Sequence, residues 1–184
     1  MAGDSVGHAY WSKRTKGDYR RMLNGHQPLW RFVRNYIKSH AISSALEVGC
    51  GLIAPASRWV ANYQAIDLNR ATDAIHADFL TLDVRPWRGI ELFVSCAVIE
   101  HCPDGYEQFL AQVKVIQPKH ALISFFNTLD WNQNSRRVDV NGIWHNVYCE
   151  TGIRSYLDAL GFTYEIKRLN TKDTILLMGN GQSI

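Results

Sequence analysis

Glu47-Val48-Gly49-Cys50-Gly51 sets an acid two positions ahead of a pair of glycines, at the end of a short apolar run. Glycines at a strand-to-helix turn let a ligand approach backbone that a side chain would otherwise shield. A tight turn that merely needs positive φ yields the same pair, so the surroundings must decide. Asp67 ends the next apolar run, 18 residues after Gly49, near the roughly 20-residue interval at which an acid accepts hydrogen bonds from a ribose diol. Gly49-Cys50-Gly51-Leu52-Ile53-Ala54 also fits the G-x-G-x-x-A form of dinucleotide folds, which keeps a nicotinamide or flavin enzyme in view. Glu47 opposes that reading, because an acid there repels a pyrophosphate and suits an ammonium or another hydrogen-donating group. Further along, His101 carries an imidazole that titrates near neutrality; it could deprotonate a hydroxyl or amine, or it could simply brace its loop.

The elements that hold these residues alternate between short β-branched or aromatic runs and stretches with helical spacing, the pattern of an α/β domain with a largely parallel sheet. Ser44 to Val48 is the first strand, and a short helix through Ser57 to Val60 is expected after the turn. Tyr63 to Asp67 is the second strand, the segment from Ile75 to Phe79 a short third, and Glu91 to Ala97 a nearly unbroken apolar run of the kind buried on both faces. A helix from about Asp104 to Ile116 leads to a fifth strand, Ala121 to Phe126. A polar loop bearing tryptophans then runs from Asn127 to about Val147, long enough to suggest function. A last helix, Thr151 to Leu160, precedes the runs Phe162 to Ile166 and Thr174 to Met178, which can close as a hairpin. Ahead of all this, a polar, basic and aromatic arm reaches to about residue 22, and Pro28 to Ile37 places apolar residues at helical intervals.

At 184 residues with 46% hydrophobic and 20% charged composition, the chain reads as one soluble domain, 1–184, with an N-terminal arm and helix over 1–40 and a core over 41–184. No apolar run approaches the roughly 18 residues of a membrane span, and the first residues lack a signal-peptide layout, so a cytoplasmic protein is expected. Four dispersed cysteines without a C-x-x-C pair and seven dispersed histidines point to reduced thiols and no metal. Residues 1–40 hold eight Lys or Arg and two acids, a surplus of +6 within a net +3, which leaves −3 for the rest. Such an end attracts phosphates or acidic substrates, or is a solvated helix face.

Ala45-Leu46-Glu47-Val48-Gly49-Cys50-Gly51, then Ile66-Asp67, Ala77-Asp78-Phe79, and Val94 through His101 resemble, in order and spacing, the successive motifs of class I S-adenosylmethionine-dependent methyltransferases. The resemblance covers residues 44 to about 126, and the closing hairpin fits that family's reversed last strand. It implies a doubly wound, Rossmann-like sheet of seven mostly parallel strands with the last antiparallel, and S-adenosylmethionine as cofactor. Glu47, Gly49, Cys50 and Gly51 would then face the methionine part, with Glu47 near the amino group. Asp67 would take the ribose hydroxyls with Leu68 beside it, Asp78 the adenine amino group, and Phe79 would lie by the ring. Ala97 and Val98 would line the sulfonium end, with His101 as the candidate base and Glu100 a possible cap for the next helix. Two departures stand out: Ile53 replaces a third glycine, and only ten residues separate Asp67 from Asp78, room for a single helical turn at most.

Methyl transfer is an in-line displacement, so the protein must align nucleophile and methyl and exclude water. Acceptor choice then falls to parts outside the motifs. Tyr10, Trp11, Arg14 and Tyr19 lie in an arm that resembles the lid segments of small family members, and an aromatic there could close the site. Trp131, Trp144 and His145 lie in the loop after strand five, where substrate loops of such sheets emerge; packing is the favoured reading for Trp144 and Tyr148 and is left open for Trp11 and Trp131. A small-molecule acceptor is expected, with single-stranded nucleic acid a weaker possibility from the interleaved basic and aromatic residues. The D-P-P-Y type of motif of amino-methylating DNA enzymes is absent after strand four. A non-catalytic S-adenosylmethionine-binding module is the alternative.

Overall fold

Thr15 and Asp18 start the first helix by a reciprocal cap: Asp18 N–H donates to Thr15 Oγ1 at 3.3 Å, and Thr15 N–H donates to Asp18 Oδ2 at 2.9 Å. In the computed structural model, which describes residues 13–70, 73–102, 105–126, 129–130, 135–138 and 144–179, this helix is α1 (Lys16–Gly25). It buries none of its residues fully. The arm, for which the sequence reading named no element, is therefore helical from Lys16 onward, started by its local cap.

Helix α2 (Gln27–Ser39) begins with Pro28 in its first turn and buries Leu29, Val33 and Ile37, spaced four apart on one face. Each such burial contributes about 1.5–3 kcal/mol. That face packs on Ala45, Leu92, Val94, Leu122, Ile175 and Leu177. The strands supplying them are β1 (Ser44–Val48), β4 (Leu92–Cys96), β5 (His120–Phe126) and β10 (Asp173–Gly179). Alternate residues of the same strands, Leu46, Phe93, Ile123 and Leu176, point to the other face. There they meet α3 (Tyr106–Ile116) through Phe109, Leu110 and Val113, and α4 (Glu150–Leu160) through Ile153 and Leu157. The period-two pattern thus builds two cores, one on each side of a central sheet.

With β2 (Asn62–Asp67), β3 (Ile75–His76) and β9 (Thr163–Arg168), the sheet has seven strands in the order β3-β2-β1-β4-β5-β10-β9. Pairing is parallel through β5, and β10 runs antiparallel to both β5 and β9. The order reverses between β1 and β4, which opens a crevice at their carboxyl ends.

Four details differ from the sequence reading. After the turn, the expected helix over Ser57 to Val60 is instead a pair of 3-10 turns, Gly51–Ile53 and Pro55–Arg58, separated by Ala54 at φ 37°. A left-handed residue and a proline interrupt the α-helical ladder there. No helical residue lies among the described residues between β2 and β3, and β3 has two residues rather than five. The polar stretch after β5 is not a plain loop: β6 (Leu129–Asp130), β7 (Ser135–Val138) and β8 (Trp144–Cys149) form a second sheet in the order β6-β8-β7. Its buried face carries Asn146 and Tyr148, polar residues satisfied by hydrogen bonds, so no apolar alternation announced it. Glu100 does not cap α3, whose N-cap is Gly105 with no side-chain cap bond, and Glu100 is itself buried.

Candidate active site

The carboxyl ends of β1, β2 and β4 and the chain just beyond β3 converge on one cavity of about 220 Å3. Glu47, Gly49, Cys50, Gly51, Asp67, Leu68, Asp78, Phe79, Ala97, Val98 and His101, singled out from sequence, all line it. Parallel strands deliver them there because each motif ends its own strand on the same edge of the sheet.

Asp67 is held rather than loose. Its Oδ2 accepts from Gly51 N–H at 2.8 Å and its Oδ1 from Asn69 N–H at 2.7 Å, which ties the end of β2 to the glycine turn after β1. A carboxylate offers about four acceptor positions, so capacity for a diol remains. Glu47 is 2% exposed; Tyr63 donates to its Oε2 at 2.6 Å, and Ala56 N–H approaches the same oxygen at 3.4 Å. Burial raises the Glu47 carboxyl to about 8, with the Tyr63 bond pulling the other way and Asp67 adding to the rise. Burial likewise pushes the Cys50 and Cys96 thiols up, so neither is a thiolate near neutrality.

The glycines are required for a reason the sequence did not carry. Gly49 sits at φ 74°, and a Cβ there would stand 2.2 Å from Val98 Cγ2; Gly51 sits at φ 57°, and a Cβ would stand 2.4 Å from the Tyr19 ring. Tyr19, on α1, therefore lies over the turn, its hydroxyl bonded to the Asn69 side chain and its ionisation pushed up by burial. Ala97 also adopts a left-handed φ of 58°, the kind of strain that costs about 1–3 kcal/mol and clusters at sites. Its N–H is fixed by Ser124 Oγ at 2.9 Å, while Ser95 Oγ bonds Val48 O at 3.1 Å, locking β4 to its neighbours.

Phe79 faces the cavity from a packed cluster with Phe109 and Phe93, at centroid distances of 4.9 and 5.6 Å. Asp78 is exposed, and its Oδ1 accepts from Leu80 N–H at 3.0 Å. His145 on β8 meets His101 edge-on at 5.2 Å. Arg14 is half-buried just ahead of α1 and does not line the cavity. The backbone of Trp144 begins β8, whereas Tyr10, Trp11 and Trp131 lie outside the described residues.

No family model and no characterised protein matches the chain by sequence. Solved structures match its shape. The 1,6-didemethyltoxoflavin-N1-methyltransferase of Burkholderia thailandensis, with 1,6-didemethyltoxoflavin and S-adenosylhomocysteine bound, superposes with a TM-score of 0.71 at 14% identity, over 94% of this chain and 86% of that one. DhpI in complex with S-adenosylhomocysteine gives 0.65 at 13%, over 98% and 100%. The magnesium protoporphyrin IX methyltransferase ChlM of Synechocystis PCC 6803, with S-adenosylmethionine bound, gives 0.62 at 14%, over 95% and 91%. The fold is that of the class I methyltransferases.

Within this methyltransferase fold, α1 and its end supply lining residues that sequence reasoning missed: Met22, Leu23 and His26, joined by Leu29 and Trp30 of α2. Tyr63 was read only as a strand residue, although its hydroxyl holds Glu47. The signal for α1 was the Thr15-x-x-Asp18 cap, a capping-box pattern with Asp in place of Glu.

Proposed function

We propose that this chain is an S-adenosylmethionine-dependent methyltransferase acting on a small-molecule acceptor. One observation carries the reading: acids from three neighbouring strand ends, Glu47, Asp67 and Asp78, line a single cavity at the crevice beside a glycine turn. The group fits this lining. A buried acid at one end suits an ammonium, a fixed carboxylate suits a diol, and the wall between them is largely apolar, as a nucleoside needs.

Glu47 would meet the amino group, Asp67 the ribose hydroxyls, and Asp78, Leu68 and Phe79 the adenine side. When bound, S-adenosylmethionine supplies an electrophilic methyl on a sulfonium. The protein's part is positional: Ala97, held by Ser124, and Val98 wall the reacting end, Ser95 ties β4 to Val48 of β1, and Tyr19 closes the turn against water. Cys50, Cys96, Cys102 and Cys149 form no disulfide with one another, which suits a reducing, cytoplasmic compartment. No described helix is long and apolar enough to cross a membrane.

Isothermal titration with S-adenosylmethionine and S-adenosylhomocysteine, with NAD as control, tests the cofactor. Release of S-adenosylhomocysteine in the presence of cell extract then separates an enzyme from a binder. Binding of NAD in place of the other two would overturn the reading, and binding without release would move it to a non-catalytic module.

A further inference from the structure

Part of the basic surplus of residues 1–40 is gathered in one place. Along α2, Gln27, Trp30, Arg31 and Arg34 follow helical spacing and share a face apart from the buried Leu29, Val33 and Ile37. The 3-10 turn Pro55–Arg58 packs against α2 and adds Arg58 and Trp59, so that these residues line a groove of about 340 Å3. Trp30 and Trp59, both half-buried, meet at a centroid distance of 6.2 Å and supply its apolar part. No acid lines the groove, and Arg31, Arg34 and Arg58, all exposed, enter no ion pair among the described residues.

Three guanidiniums gathered without a counter-charge repel one another, and an anion among them relieves that repulsion. The planar fork of each matches phosphate or carboxylate oxygens in pairs. Three such forks exceed what one carboxylate can engage and suit a dianion with three oxygens. The indoles keep water from one side of the groove, which strengthens charge-assisted bonds formed there.

The groove is joined to the candidate active site. Leu23, Trp30 and Pro55 line both the groove and the cavity. The junction lies beside Glu47, since Ala56, next to Pro55, carries the N–H that approaches Glu47 Oε2 at 3.4 Å. Its length selects the kind of ligand. From Gln27 to Arg34 the helix spans about 10 Å, at 1.5 Å per residue, room for one anionic headgroup. A single-stranded nucleic acid needs a track of roughly four nucleotides or more.

We propose that this groove is the anion subsite for the acceptor, and that the acceptor is a small molecule bearing a phosphate-type dianion. The proposal rests on the methyl-transfer reading above and deepens it. The dianion sits among Arg31, Arg34 and Arg58, the body of the molecule passes Trp30 and Pro55, and the methyl-accepting atom enters the cavity.

Calorimetric titration of the full chain with phenyl phosphate, and with benzoate for comparison, tests this without turnover. Each is run with and without S-adenosylhomocysteine, in the wild type, in Arg31→Gln, Arg34→Gln and Arg58→Gln, and in Arg88→Gln, which lies outside the groove. The wild type is expected to bind phenyl phosphate more tightly than benzoate, whether or not S-adenosylhomocysteine is present. Each groove variant should weaken phenyl phosphate about tenfold, while Arg88→Gln and the affinity for S-adenosylhomocysteine stay within about twofold. Phenyl phosphate binding that is absent from the wild type, survives all three groove variants or falls equally in Arg88→Gln overturns the assignment. Benzoate bound as tightly as phenyl phosphate overturns the dianion. Displacement of phenyl phosphate by S-adenosylhomocysteine would make the groove a seat for the cofactor's own carboxylate, and the proposal falls. It falls too if a single-stranded oligonucleotide binds more tightly than phenyl phosphate and loses that advantage in the double variant Arg20→Gln, Arg21→Gln on α1, outside the groove. Groove-dependent binding of phenyl phosphate by a wild type that binds no S-adenosylhomocysteine would sink the methyl-transfer reading and leave the groove as the site of a phosphate-bearing ligand.

Discussion

The Tyr63 hydroxyl donates to Glu47 Oε2 at 2.6 Å inside a site where Glu47 is 2% exposed, and the carboxyl it holds ionises only at about 8. Near neutrality Glu47 therefore carries a proton. A cationic ligand group placed beside it would favour the charged form and drive that proton off. Binding of S-adenosylmethionine at pH 7 is expected to release up to about one proton, and affinity should rise with pH until it levels off above 8. Titrations in buffers of different ionisation enthalpy check this, and Glu47→Gln should remove both effects.

The same acid makes the empty protein less stable as pH rises. Its folded pKa of about 8 lies above the 4.5 of an ordinary glutamate, so between those values the native state holds more protons than the unfolded state. The contribution is fully favourable below pH 4.5 and falls away as pH climbs through 8, by an amount on the order of 5 kcal/mol. Urea unfolding of the wild type and Glu47→Gln at acid and alkaline pH should show the difference shrinking in the variant.

Gly49→Ala should destabilise the fold by about 1–3 kcal/mol, from left-handed backbone plus a collision with Val98. Val98→Ala in the same chain should recover part of the loss, because it removes the colliding methyls and leaves the φ cost. Thermal unfolding of the two single variants and the double measures the coupling.

Asp67→Asn keeps the size of the side chain but replaces one carboxylate oxygen by an amide nitrogen that donates. Either Gly51 N–H or Asn69 N–H then loses its acceptor. Affinity for S-adenosylhomocysteine is expected to fall about tenfold or more, with a loss of about 1–3 kcal/mol in stability. Calorimetry and denaturant unfolding separate the two.

Tyr148→Phe removes a hydroxyl that donates to Ile99 O at 2.6 Å and accepts from Asn146 Nδ2 at 3.1 Å, all in a buried setting. Asn146 keeps its bond to Cys102 O at 2.7 Å, so β8 remains attached to the turn that carries His101. The expected cost is about 1–3 kcal/mol in denaturant unfolding. An unchanged midpoint would show that the second sheet does not support this turn.

Much of the fold was legible because its signals are local in sequence. The short apolar runs that became β1, β2, β4, β5, β9 and β10 need only their own residues to be recognised, and α2 is readable from Leu29, Val33 and Ile37 alone. The second sheet was not legible, since Asn146 and Tyr148 are buried through hydrogen bonds to Cys102 and Ile99, more than forty residues away. The 3-10 turns after Gly51 escaped for a related reason: Ala54 takes a left-handed φ of 37° with nothing in its residue type to announce it.

By itself the sequence determined the strand ends and hence the acids and glycines at the crevice, because motif order and spacing along a parallel sheet leave Glu47, Gly49, Gly51, Asp67 and Asp78 on one edge. Only the tertiary structure decided what surrounds them. Tyr19 over Gly51, Tyr63 on Glu47, Val98 against Gly49 and Asp173 behind His26 join segments separated by 16 to 147 residues. Such contacts form when helices and strands pack, and packing partners leave no trace in the local pattern of either segment.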